Sequence, residues 1–163
     1  MKKSSTIFLQ AVIVLIGIVA LAIMIRFPLT EGRAANLDLF SIYSDPFIVY
    51  GYLASIPFFI ALYQAFKLLR YIGQNKVFSL SSVKTLRTIK YCAITQGILI
   101  VMAALYIRIS WIFHAKSDDD PAGFIAIAIL ATFISAVIAT AAAVFEKTLQ
   151  SAIDIKSEND LTV

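Results

Sequence analysis

Residues 124–145 read FIAIAILATFISAVIATAAAVF, and nothing in that stretch carries a charge. A helix of about 20 predominantly apolar residues is long enough to cross the hydrocarbon core of a bilayer. Three other stretches have the same character. Ile7 to Ile25 contains only Gln10 as a strong polar group. Phe47 to Phe66 is uncharged. Tyr91 to Ile107 is uncharged, and its apolar pattern resumes after Arg108 as far as Phe113. A backbone in hydrocarbon must satisfy its own hydrogen bonds, which leaves helices and closed barrels. Barrel strands would read as alternating ten-residue segments, and none is visible. The runs predict an all-α membrane protein, a four-transmembrane-helix bundle in one integral membrane domain. Its spans lie at about 7–25, 47–69, 91–113 and 122–145, with a tail over 146–163.

Composition leads to the same class. The chain has 163 residues, 60% of them hydrophobic and only 15% charged. Soluble domains are about 45–50% apolar and about 25% charged, and a body this small cannot hide so much apolar surface from water. Lys2 and Lys3 precede the first run as they would in a signal peptide, but the run exceeds the 7–15 residues usual there, so an uncleaved span is expected. A single cysteine, Cys92, allows no internal disulfide and reads as a small packing residue.

Orientation follows from lysine and arginine, which cytoplasmic loops retain. Lys2 and Lys3 lie at the N-terminus. Lys67, Arg70, Lys76, Lys84, Arg87 and Lys90 lie between spans two and three with no acid among them, and Lys147 and Lys156 lie in the tail. The opposite side carries Arg26, Arg33, Arg108 and Lys116, offset by Glu31, Asp38, Asp45 and Asp118–Asp120. Both termini are therefore expected in the cytoplasm.

Several local features can be placed on this frame. Span one is expected to end near Arg26 and Pro28, because proline cannot continue a helix without losing a hydrogen bond. The apolar outer loop, with Leu37, Leu39, Phe40, Ile42 and Tyr43, predicts a short interfacial helix. Asp45-Pro46 and Asp120-Pro121 read as N-cap and first helical residue of spans two and four, and Pro57 should bend span two. Gly73-Gln74-Asn75 breaks the chain. An amphipathic cytoplasmic helix between spans 2 and 3 then starts around Ser79 to Ser82 and runs on towards span three. Val83, Leu86 and Ile89 form its apolar stripe and Lys84, Arg87 and Lys90 its basic one. In span four, Ala128, Ala131, Ser135, Ala139 and Ala142 recur at three or four residues. Small residues let helices approach closely in lipid, so this stripe is expected to face the bundle. The tail should begin as a helical extension, with Leu149 and Ile153 on one side, and fray at Ser157–Asp160.

Candidate sites are few. Lys84, Arg87 and Lys90 could contact anionic lipid headgroups or a cytoplasmic partner, although setting topology alone also accounts for them. Arg108 is the one charge in the extended third span. With Gln10, Gln64 and Gln96 it could form an intramembrane polar site, against the plainer readings of snorkelling beside Trp111 and of interhelical packing. Asp118, Asp119 and Asp120 with His114 could hold a divalent cation, but without a calcium-loop spacing they read better as a helix cap. No catalytic motif, phosphate loop or CxxC is present. No enzyme, cofactor or nucleic-acid partner is expected. The function favoured is a non-enzymatic regulatory or interaction module with a cytoplasmic partner. The alternative is a small transporter, channel or immunity-type membrane protein.

Residues 73–79 read GQNKVFS, residues 83–94 VKTLRTIKYCAI and residues 149–163 LQSAIDIKSENDLTV. Together with four spans in about 160 residues, these segments resemble the YoaS-like bacterial membrane proteins, domain-of-unknown-function family 2975. The resemblance implies a multi-pass protein of the bacterial cytoplasmic membrane. It also implies a regulatory partner, because a helix-turn-helix regulator is often encoded beside members of this family. It carries over no functional residues.

Overall fold

A computed structural model describes residues 3–30, 42–43, 45–113 and 122–161. Their helices are α1 (Lys3–Thr30), α2 (Pro46–Gly73), α3 (Leu80–Phe113) and α4 (Ala122–Leu161). All four are long and apolar enough to cross a membrane. They fall into two compact units, residues 1–77 and 78–163.

In the first unit α1 pairs with α2. A Cβ added at Gly17 would lie 3.8 Å from Leu62 Cδ1, and one at Gly73 would lie 3.1 Å from Thr6 Cγ2. The two pairs fix an antiparallel register. Large side chains such as Ile7, Phe8, Leu15 and Ile23 remain more than half exposed. Apolar surface on this scale marks contact with a membrane or another protein surface.

The first helix does not stop at Pro28 as expected; α1 continues to Thr30. A proline at position 28 removes the N–H that would bond to the carbonyl of Met24 four residues back. The Tyr52 hydroxyl donates to that carbonyl at 3.0 Å. Tyr43 does the same to the next one, Ile25, at 3.3 Å, and the two tyrosine rings lie 6.3 Å apart. The carbonyl freed by the proline is thereby satisfied from α2, and the helix tolerates the ring.

Asp45 caps α2 as expected. Its Oδ1 accepts from the Phe47 N–H at 2.8 Å, and Pro46 is the first helical residue. The helix passes through Pro57 without interruption. At its far end Asn75 adopts φ 56°, a left-handed conformation that asparagine tolerates better than most residues. Lys76 N–H reaches the Tyr71 carbonyl at 2.9 Å and Asn75 N–H the Ile72 carbonyl at 3.1 Å, the Schellman pairing that closes a helix.

In the second unit α3 and α4 pack along each other. Ser79 is the N-cap of α3: its hydroxyl and its carbonyl both accept from Ser82 N–H, at 3.3 and 3.0 Å. The expected amphipathic element between spans 2 and 3 is not a separate helix. Residues 80–90 are the first three turns of the same helix that holds the third apolar run, with no break at Tyr91. Val83, Leu86 and Ile89 are buried in the protein, so the apolar stripe is core rather than a face laid on a membrane.

On α4 the small-residue stripe faces α3. Ala128, Ser135 and Ala142 are buried, Ala131 and Ala139 are half-buried, and a Cβ at Gly97 would meet Ser135 Cβ at 3.6 Å. The tail differs from expectation at its end, since α4 stays helical through Ser157 as far as Leu161. The Gln150 amide donates to Asp154 Oδ1 at 2.9 Å, one turn ahead on the exposed face.

Residues 31–41, where most of the interfacial helix is expected, lie outside the described residues. So do the Asp120-Pro121 cap and the His114/Asp118–Asp120 cluster.

Candidate functional site: a charge cluster in the α3–α4 seam

The stripe of small residues on α4 steps from 128 through 131, 135, 139 and 142, and the next step of four lands on Glu146. Its side chain is only 10% exposed. A carboxylate placed in a helix seam must be compensated, because taking it out of water costs more than a neutral group does. Two cations from α3 supply the compensation. Arg87 Nε donates to Oε1 at 2.7 Å and Lys90 Nζ to Oε2 at 2.7 Å. Each carboxylate oxygen thus takes one charge-assisted bond, the stronger class of hydrogen bond.

The two cations differ in setting. The Lys90 side chain is 21% exposed, against 55% for Arg87, and Lys90 Nζ also lies 4.9 Å from the Tyr91 ring centroid. Lys90 is held within the seam. Arg87 uses only Nε, so among the described residues its four Nη–H donors have no protein acceptor. Lys84, one turn earlier, is exposed and has no ion-pair partner among those residues.

The other polar candidates lie apart. Gln10, half-buried on α1, lines a shallow apolar groove with Ile7, Ala11, Val14 and Phe66. The Thr6–Gly73 and Gly17–Leu62 pairs set Gln10 roughly a turn from the level of Gln64 on α2, at ~1.5 Å per residue. Gln96 sits on α3, and its Oε1 is buried without a hydrogen-bond partner among the described residues. Arg108 is twelve residues further along the same helix, ~18 Å away. It is exposed and stacks on Trp111, its guanidinium carbon 5.1 Å from the ring centroid. Within neither unit do these side chains meet as a polar path. Cys92 is half-buried on α3.

Glu146 is the residue that the sequence reading missed. The signal for it was the stripe on α4, whose spacing continues past the end of the apolar run.

Comparison with known proteins places this architecture. The family described as protein of unknown function (DUF2975) matches residues 11–163. A relative covering the full length of both chains, the uncharacterized membrane protein YoaS of Bacillus subtilis (strain 168), is 47% identical over 167 residues. No solved structure matches. The family model covers most of the chain and the relative its full length, and the chain belongs to the DUF2975 family.

Proposed function

We propose that the protein is a non-enzymatic interaction module of the bacterial cytoplasmic membrane. It holds both termini in the cytoplasm and presents the ends of α3 and α4 to a cytoplasmic partner. The observation that supports this reading most is the excess length of the pair. α3 has 34 residues and α4 has 40, or ~51 and ~60 Å of helix, while the bilayer core is ~30 Å. The surplus lies at the end with Lys84, Arg87, Lys90 and Lys147, and positive residues favour the cytoplasm. Residues 80–90 and 146–161 then project from the membrane as an amphipathic cytoplasmic pair, braced by Glu146. Phe78 and Leu80, 64% and 60% exposed, are apolar groups at that projecting end, beyond the run that begins at Tyr91. The helix-turn-helix regulator that the family resemblance suggests is the first partner to test.

Orientation is tested by fusing to Val163 a reporter active only in the cytoplasm; an inactive fusion in a correctly inserted protein overturns it. The partner is tested by affinity capture from detergent extract, comparing the full chain with one ending at Ile153, which keeps Glu146 in place. Loss of a specific cytoplasmic protein is expected, and an unchanged set of captured proteins overturns the reading.

A further inference from the structure

Lys84, Arg87 and Lys147 form one positively charged face at the end of the apolar runs. On α3, Lys84, Arg87 and Tyr91 follow each other at steps of three and four residues, so they share one side of the helix. All three are exposed. On α4, Lys147 follows Glu146 directly and is exposed. Glu146 points into the seam towards Arg87 and Lys90, so the next residue turns ~100° away from it at 3.6 residues per turn. In an antiparallel pair of right-handed helices, that turn brings Lys147 out on the side where Lys84 and Arg87 emerge. No acid other than the consumed Glu146 lies between them on these turns, and Arg87 keeps its Nη donors for an outside acceptor.

The level of the cluster selects the ligand. Arg87 is four residues before the apolar run that starts at Tyr91, and Lys147 two residues after the one that ends at Phe145. At ~1.5 Å per residue, these are ~6 and ~3 Å beyond the hydrocarbon, within the headgroup layer; Lys84, seven residues before Tyr91, is ~10 Å beyond and reaches back to that layer with its long side chain. The face continues into the membrane through Tyr91, Ile94 and Ile98, which are 58%, 44% and 56% exposed and offer a surface for an acyl chain. We infer that Lys84, Arg87 and Lys147 hold the phosphate of an anionic phospholipid. Glu146 acts as the positioning residue that fixes the Arg87 guanidinium, and the lipid tail lies along Tyr91, Ile94 and Ile98. This deepens the reading above, resting on its placement of this end at a leaflet surface and not on the protein partner.

The test uses the full chain in detergent micelles containing equal amounts of phosphatidylglycerol and phosphatidylcholine, with bound lipid read by native mass spectrometry. The expected result is selective retention of phosphatidylglycerol. Lys84→Gln/Lys147→Gln should weaken it about thirtyfold, from the usual effect of two basic residues near an anionic surface. Lys76→Gln/Lys156→Gln, with the same charge change on the same side of the membrane, should leave it unchanged. Equal loss in both double variants reduces the effect to net charge and overturns the site, as does equal retention of both lipids. Displacement by inorganic phosphate at low millimolar concentration, with ionic strength held constant by chloride, would make free phosphate the ligand and overturn the lipid assignment. A variant that has lost its fold is recognised by its helical circular dichroism. In that case Arg87→Lys, which keeps the charge but loses the guanidinium fork, serves instead: selectivity is expected to fall, and unchanged selectivity overturns the assignment. Failure of partner capture overturns the interaction module and leaves the lipid site standing.

Discussion

The Tyr52 hydroxyl on α2 donates to the backbone carbonyl of Met24 on α1, the acceptor that Pro28 leaves without its helical donor. Without that bond the carbonyl would stay unpaired, and hydrocarbon offers it no other donor. The proline and the tyrosine are therefore one feature divided between two helices.

Their coupling can be measured. Tyr52→Phe should destabilise the protein by about 1 kcal/mol, the usual scale of an interhelical hydrogen bond. In a Pro28→Ala background the alanine N–H serves Met24, and the same substitution should cost close to nothing. Denaturant unfolding in mixed micelles gives both numbers. Equal costs in the two backgrounds would mean that the tyrosine acts through packing alone. Tyr43→Phe, with a longer and more exposed bond, should cost less than Tyr52→Phe.

Glu146→Gln removes the anion that both Arg87 and Lys90 face. The ends of α3 and α4 should then loosen, with amide exchange over 80–90 and 146–161 rising severalfold while the turns around Gly97 and Ser135 stay protected. Lys90→Gln should loosen them more than Arg87→Gln, because the lysine is less exposed and a screened, solvated pair contributes little. Uniform exchange across the whole unit in every variant would deny the cluster its local role.

Gly97 leaves room for one methyl group. Gly97→Ala places a Cβ at ordinary contact distance from Ser135 and should be neutral or stabilising by up to about 1 kcal/mol through helix propensity. Gly97→Leu overfills the seam and should destabilise by about 1–3 kcal/mol. Thermal unfolding in detergent separates the two outcomes; tolerance of leucine would show that the seam is not close-packed there.

Gln96 keeps a buried oxygen without a partner among the described residues. Replacing it by leucine, of similar size, removes an unsatisfied acceptor and should stabilise the protein by about 1 kcal/mol. Marked destabilisation in the same unfolding assay would show that the amide makes a bond in the membrane that outweighs the gain in packing.

How far these features were legible depended on their range in the chain. The spans could be read because hydrophobicity is a local property and each run is continuous. The α4 stripe could be read because 128, 131, 135, 139 and 142 repeat within one helix. The Asp45 cap, the break at Gly73–Asn75 and the start at Ser79 are likewise signals within a few residues. Pro28 was misread because the rule against proline assumes an unpaired carbonyl, and the donor that satisfies it lies 28 residues away. Lys84, Arg87 and Lys90 read as one stripe, yet two of them are claimed by an acid 59 and 56 residues distant. Helical spacing tells which side a residue is on, not what waits there.

The absence of any interruption in α4 at the boundary between Phe145 and Glu146 has a mechanical consequence. A continuous helix is a lever whose fulcrum is the membrane surface. On the placement proposed above, the sixteen residues from Glu146 to Leu161 would reach ~24 Å beyond it. A change of about 10° in the tilt of the embedded part, of the size a change in bilayer thickness can impose, swings the tip by about 4 Å. Bilayer thickness and the position of Leu161 would in this way be geared to one another without any hinge.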